Sequence, residues 1–322
     1  MDAQGRVAVL AGGVGAARFL RGLLAVRPPD HVSAVVNVGD DVVLHGLHVA
    51  PDLDTITYTL AGAIDPERGW GLAGETWTAM EALARYQAHR PSGSQAGATW
   101  FSLGDRDLAT HLYRTARLAE GATLTMVTAE IARAWGLGLR LLPVTDDRVE
   151  TRVEVDGDGE IGFQEYFVGR RHAVAVRSVR FAGLSRATLA PGVLAAVHDA
   201  DAVVIAPSNP IVSIGPLLAF TSLRDGLRHH RDKVAAVSPI VAGAALKGPA
   251  DRLLAELGHE VSVVGVARLY RDVASVLVVD EADAALAPAV EAEGVRCVVT
   301  HTVMRDLDVA AALARTTLEA LA

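Results

Sequence analysis

The sequence predicts an α/β fold, a Rossmann-like, doubly wound, mainly parallel sheet with a helical insertion. Three observations predict it. Apolar runs at 7–11 and 32–38 flank a glycine-rich turn and a helix-patterned stretch, which together read as a βαβ opening. Beyond residue 200 further apolar runs alternate with helix-patterned stretches, as repeated βα units do. The runs are apolar nearly throughout, which suits strands covered on both faces.

Taken in order, the first strand leads through Gly12, Gly13 and Gly15 into a helix at 16–26, then to the second strand. Four stretches between 53 and 135 have helical spacing (54–63, 75–89, 107–120 and 124–135), and none has a convincing strand pattern. Residues 61–137 are therefore expected to form the insertion, with 1–60 and 138–322 as a Rossmann-like, nucleotide-binding core. Within the insertion, "RPSGSQAGA" at 90–98 is a polar loop of small residues. Strand character returns at 140–142, and "VETRVEVDGDGEIGFQEYFV" alternates around Asp156-Gly157-Asp158-Gly159 as a hairpin does. Later strands are expected at 202–206, 234–237, 261–264, 276–279 and 295–299, with helices at 249–257 and 306–321.

Composition narrows the function. A chain of 322 residues, 51% hydrophobic and 21% charged, can bury the core of one large domain, or of one domain with an insertion. Its net charge is −8, from 30 Lys+Arg against 38 Asp+Glu, and no basic block is interleaved with aromatics. That argues against a nucleic-acid partner. A phosphorylated small molecule is compatible, because metal ions and backbone N–H groups neutralise phosphate locally. No apolar stretch approaches the roughly 20 residues that span a bilayer, and the amino terminus enters a strand pattern almost at once. A soluble, cytoplasmic protein without membrane contact is expected. The single cysteine, Cys297, lies in an apolar run and reads as a small core hydrophobe.

Five polar motifs punctuate this pattern. "LAGGVGAARFL" (10–20) is a glycine turn between strand and helix, where backbone N–H groups and a helix start can meet an anion. It reads as a phosphate or nucleotide loop, or as a tight βα turn. It lacks the Gly-Lys-Ser/Thr of a Walker A loop, and Arg18 stands where a dinucleotide fingerprint needs a third glycine. "VVNVGDDVVLHGLHVAPDLDT" (35–55) carries Asp40, Asp41, Asp52 and Asp54 just past the second strand. Converging carboxylates there suit Mg²⁺, which takes one or two of them and completes its shell with water and phosphate oxygens. The competing reading is a helix cap, which is preferred for Asp52. Ligand or catalytic roles are preferred for Asp40 and Asp54.

"WFSLGDRDLATHL" (100–112) is a second polar cluster, in which Asp105 or Asp107 reads equally as an ordinary cap and His111 as a satisfied helix histidine. "VVIAPSNPIVSIGPLL" (203–218) sets Ser208, Asn209 and Ser213 at a strand's carboxyl end, as a nucleotide cradle or as an Asn-Pro turn. "SPIVAGAALKGPADRLL" (238–254) adds Lys247, for phosphate or for solvent.

In combination, "GGVGAARFL", "VVNVGDD", "PDLDT", "GWG", "ETW", "LGDRDLATH", "LLPVTDD", "FQEYFV", "APSNPIVSIGP" and "SPIVAG…LKGPA" resemble the 2-phospho-L-lactate transferase family of coenzyme F-420 biosynthesis. The resemblance implies an Mg²⁺-dependent transferase. It would move a phosphoenolpyruvyl or 2-phospholactyl unit from a guanosine diphosphate-linked donor to the deazaflavin 7,8-didemethyl-8-hydroxy-5-deazariboflavin, releasing GMP. It also implies a homodimer. Carried over, Asp54 is the acceptor-side aspartate and a candidate base or metal partner. Asp40 is the main metal candidate, Asp41 its support, and Ser102 an acceptor contact. Gly12, Gly13, Gly15, Ser208, Asn209 and Ser213 would hold the nucleotide. The stretch Gly69-Trp70-Gly71 resembles the actinobacterial-type branch, in which phosphoenolpyruvate is the usual unit. The alternatives are a non-catalytic, nucleotide-binding regulatory protein of the gluconeogenesis-factor-like type, from which "LGDRDLATH" and "PDLDT" separate this chain, and a nicotinamide-dependent dehydrogenase, which Arg18 weakens.

Overall fold

The computed structural model describes residues 5–94 and 96–322; Gln95, inside the 90–98 loop, lies outside them. In chain order the strands are β1 (Val7–Ala11), β2 (Val32–Val36), β3 (Val42–Leu44), β4 (Leu47–Val49), β5 (Arg140–Pro143), β6 (Glu150–Val155) and β7 (Gly159–Gly162). There follow β8 (Val176–Ala182), β9 (Ala202–Ile205), β10 (Val234–Val237), β11 (Ile240–Val241), β12 (Ala244–Ala245), β13 (Val276–Asp280) and β14 (Arg296–Thr300). Seven of them form one sheet in the order β14-β13-β10-β9-β1-β2-β5, and every pairing in it is parallel. Renumbered as core strands alone, this is the 3-2-1-4-5-6 order of dinucleotide-binding folds with one strand added. Its central strands β1, β9, β10 and β13 are buried along their whole length, as their apolar runs require.

Helix α1 (Gly13–Leu24) crosses from β1 to β2 and packs on α2 (Pro51–Leu60) and on the carboxy-terminal helix Leu307–Glu319. Asp306 caps that last helix, its carboxylate accepting from the Val309 N–H. Between α2 and β5 lie α3 (Thr78–Ala84), α4 (Asp107–Ala119) and α5 (Leu124–Ala134), and the bridge Ile64–Leu72 is the only strand-like pairing there among the described residues. A small apolar cluster of Leu44, Val49, Met80 and Leu103 ties this segment to the hairpin β3–β4.

Two expectations are corrected. Residues 261–264 form no strand. Ser262 caps the helix Val263–Tyr270 there, its Oγ accepting from the N–H groups of Val264 and Gly265, so the valines face the core from a helix. The acidic segment also contains an unexpected hairpin, β3–β4, turned by His45 and Gly46, both at positive φ. The expected hairpin around residues 156–159 is β6–β7, extended by β8 into a separate three-stranded antiparallel sheet. Phe163 and Tyr166, just past β7, pack with Val212 and Leu253 of the main body.

Candidate active site

The chain reverses strand order between β1 and β9, and a cavity of about 570 Å³ opens at the carboxyl ends of these strands. Ligands of open α/β sheets bind at such a switch point. Gly12, Gly13 and Gly15 after β1 and Ser208, Asn209 and Ser213 after β9 line it, with Asp40, Ser102 and Lys247. Nine of the residues singled out in the sequence thus meet in one space, although they come from five separate segments.

Backbone geometry explains two of the glycines. Gly13 has φ 72°, which a side chain disfavours. Gly15 lies so close to the β9 loop that a β-carbon would come within 2.0 Å of the Pro207 carbonyl oxygen. Its bareness therefore serves the packing of α1 on that loop. Asn209 shapes the loop, its Oδ1 accepting from the N–H groups of Ile211 and Val212 at 2.9 and 3.3 Å.

The acidic segment resolves into an inner pair and an outer pair. Asp40 and Asp52 face the cavity, both buried. Asn37, at the end of β2, organises them. Its Nδ2 donates to Asp52 Oδ2 at 3.0 Å, and its Oδ1 accepts from the Gly39 N–H at 2.8 Å. Burial pushes the Asp52 carboxyl up to about 7, against the lowering effect of Asn37 and the Gly13 N–H. Burial and the neighbouring Asp52 and Asp41 charges hold Asp40 well above the usual carboxylate range. Asp52 is no helix cap. Pro51 starts α2, Ala50 occupies the cap position, and Asp52 falls inside the first turn, aimed at the cavity.

Aromatic side chains also line the cavity. Phe101 comes from the segment before α4 and Trp70 from the insertion, while Phe163 directly follows β7 and Phe167 lies in the π-helical turn behind it, their rings stacked 5.7 Å apart. Arg68 sits between Trp70 and Trp77, at 5.4 and 5.3 Å from their ring centres, and also lines the cavity. The lining thus combines polar groups able to hold phosphate with planar apolar surface.

Residues 7–317 match the 2-phospho-L-lactate transferase CofD family. The chain belongs to this family. It is 45% identical over 318 residues to a phosphoenolpyruvate transferase of Streptomyces griseus, covering 98% of both chains. Similar relatives of the same name occur in Nocardia farcinica, at 46% identity over 92% of this chain and 90% of the relative, and in Mycolicibacterium smegmatis, at 43% over 98% of both. Among solved structures, a UPF0052 family member from Bacillus halodurans superposes with a TM-score of 0.62 over 98% of this chain and 99% of its own, at 14% identity. That likeness concerns the fold alone.

The family's acidic motifs divide differently from the expected three-aspartate metal cluster. Asp41 pairs with His48 Nε2 at 2.8 Å, and Asp54 forms a bidentate ion pair with the buried Arg114. Neither lines the cavity. Among the described residues no group of three or more His, Cys, Asp or Glu is placed to hold a metal ion. The inner pair does fit Mg²⁺, since Asp40 Oδ1 is buried without a hydrogen-bond partner and magnesium needs only one or two carboxylates beside phosphate and water. Arg18, Arg68, Phe163 and Phe167 are cavity residues that motif reading passed over, along with Asp52, and Asn37 stands behind Asp52. Asn37 was legible as a polar residue ending an apolar strand; the phenylalanines were not, because a separate sheet delivers them.

"LGDRDLATH" serves mainly to build the fold. Asp105 accepts from the N–H groups of Thr78 and Ala79 and so caps α3, while Glu75 accepts from those of Arg106 and Asp107 and caps α4. No helix among the described residues is long and apolar enough to cross a membrane.

Proposed function

We propose that this member of the family is a cytoplasmic, homodimeric transferase that moves a phosphoenolpyruvyl unit from a guanosine diphosphate-linked donor to a hydroxyl of 7,8-didemethyl-8-hydroxy-5-deazariboflavin. The observation that carries the reading is the mixed lining of one cavity. Its glycine loop and β9 loop suit a diphosphate, its acidic pair suits a cation, and its aromatic side chains suit a planar acceptor. The identity of the relatives as phosphoenolpyruvate transferases favours that unit over phospholactate.

In the reaction the acceptor hydroxyl oxygen forms a bond to the phosphorus carrying the three-carbon acid. The bond from that phosphorus to the bridging oxygen breaks, and its electron pair leaves with GMP. The hydroxyl proton passes to Asp52, whose carboxyl titrates near neutrality as a general base should. Asp40 would hold Mg²⁺ through Oδ1, and the bound ion would neutralise charge on the diphosphate. The Gly13 region and Ser208 position the donor, which is most of what phosphoryl transfer asks of a protein.

Mass spectrometry of the product formed from the deazaflavin, Mg²⁺ and each candidate donor tests this. A product heavier by the phosphoenolpyruvyl unit is expected, at a rate well above that with the phospholactyl donor. No product from either donor would refute it, and light scattering of the same preparation reads the dimer.

A further inference from the structure

Arg114 is fully buried on α4 and does not line the cavity at the strand ends. Its Nη1 donates to Asp54 Oδ2 at 3.1 Å and to the His48 carbonyl at 3.2 Å, while its Nη2 donates to Asp54 Oδ1. The next residue completes the grip, since Thr115 Oγ1 accepts from the His48 N–H at 2.8 Å. His48 in turn holds Asp41, the neighbour of Asp40, and Asp54 lies one helical step beyond Asp52. One guanidinium therefore holds the segment that carries the two cavity carboxylates directly at Asp54 and, through His48, at Asp41.

Burying such a pair costs desolvation energy, and a well-packed apolar pair often serves stability as well or better. What the planar fork adds is direction, because it meets a carboxylate and a carbonyl at fixed angles. We propose that Arg114 is a positioning residue that sets the separation of Asp40 and Asp52 from within the helical insertion. The proposal rests on the reading of Asp40 as the cation-holding residue.

Arg114→Lys tests it, since lysine keeps the charge facing Asp54 and gives up the fork. Mn²⁺ binding read by electron paramagnetic resonance in the presence of GDP is expected to weaken by about 10-fold or more, as when partners behind a metal ligand are removed. kcat should fall with it, while GDP affinity, set by other loops, stays within about twofold. A folded variant with wild-type Mn²⁺ affinity and kcat overturns the proposal. So does a parallel loss of GDP affinity, which would mark general loosening. A crystal structure of the variant decides independently of the functional reading: a changed separation of the Asp40 and Asp52 carboxylates supports the proposal, and an unchanged one overturns it. Wild-type protein that binds no Mn²⁺ and transfers nothing would instead overturn the functional reading, leaving that structural comparison to decide the role of Arg114.

Discussion

Asp52 and Asp54 stand two residues apart on one helix and do opposite work. Asp52 faces the cavity with a carboxyl raised to about 7, and Asp54 faces Arg114 inside the protein. Asp52→Asn keeps shape and removes the proton-accepting charge, so the transfer rate at saturating donor should fall on the order of 10²-fold, within the range of general-base catalysis. Stability should hold or rise, because a charge that resists burial is gone. Near wild-type turnover would move the proton to another group. Asp54→Asn should instead cost stability, about 3–5 kcal/mol in urea unfolding, because it leaves the Arg114 charge buried with half its partner. The sequence favoured Asp54 for the chemistry and a helix cap for Asp52, whereas Asp52 lines the cavity and Asp54 pairs with Arg114. A carboxylate's partner across 60 residues of chain leaves no local signature, whereas helical spacing alone shows only that residues 52 and 54 point apart.

At the scale of elements, the insertion is locked by a reciprocal exchange of caps between α3 and α4. Glu75 bonds the N–H groups of Arg106 and Asp107 at 2.8 and 2.9 Å, and Asp105 bonds those of Thr78 and Ala79 at 2.9 and 3.0 Å. The Thr76 hydroxyl, which also donates to Asp105, and the N–H groups of Ala79 and Thr78 lower the Asp105 carboxyl to about 2. Glu75→Ala should cost about 1 kcal/mol, as lost caps do, and hydrogen exchange should quicken first at the start of α4. Uniform exchange across the whole chain would argue that the caps do not act locally. The two motifs "ETW" and "LGDRD" are visible in the sequence, but their pairing is not, since each looks like a cap for its own helix. Apolar runs located β1, β2, β9, β10 and β13 because a doubly covered strand has no polar face to confuse them. The same rule misread residues 261–264, where a short apolar run begins a buried helix and only Ser262 distinguishes the cases.

Across the whole molecule, the cavity acids oppose the fold that holds them. Asp40 and Asp52 have carboxyls raised by burial, Asp52 to about 7, whereas in the unfolded chain an aspartate titrates near pH 4, roughly. Between those values the folded protein keeps protons that the unfolded chain releases. Their stabilising contribution is therefore complete below about pH 4 and is lost as pH rises through about 7 and beyond. Asp107 acts in the other direction. Burial alone would raise its carboxyl, but His111, Tyr58 and Arg114 lower it on balance, so its contribution is present at neutral pH and is lost on acidification. The melting temperature of the protein in EDTA should consequently peak between about pH 4 and 6 and decline toward about pH 8. Asp40→Asn/Asp52→Asn should flatten the alkaline side of that curve, since neither replacement ionises. Mg²⁺ with GDP should lift the wild-type curve most at high pH, where the carboxylates are already charged and ready to bind, and should lift the double variant little. A wild-type melting temperature in EDTA that climbs steadily from about pH 5 to 8 would mean that neither acid is held protonated in the fold, and would remove the electrostatic argument for placing the chemistry at that pair.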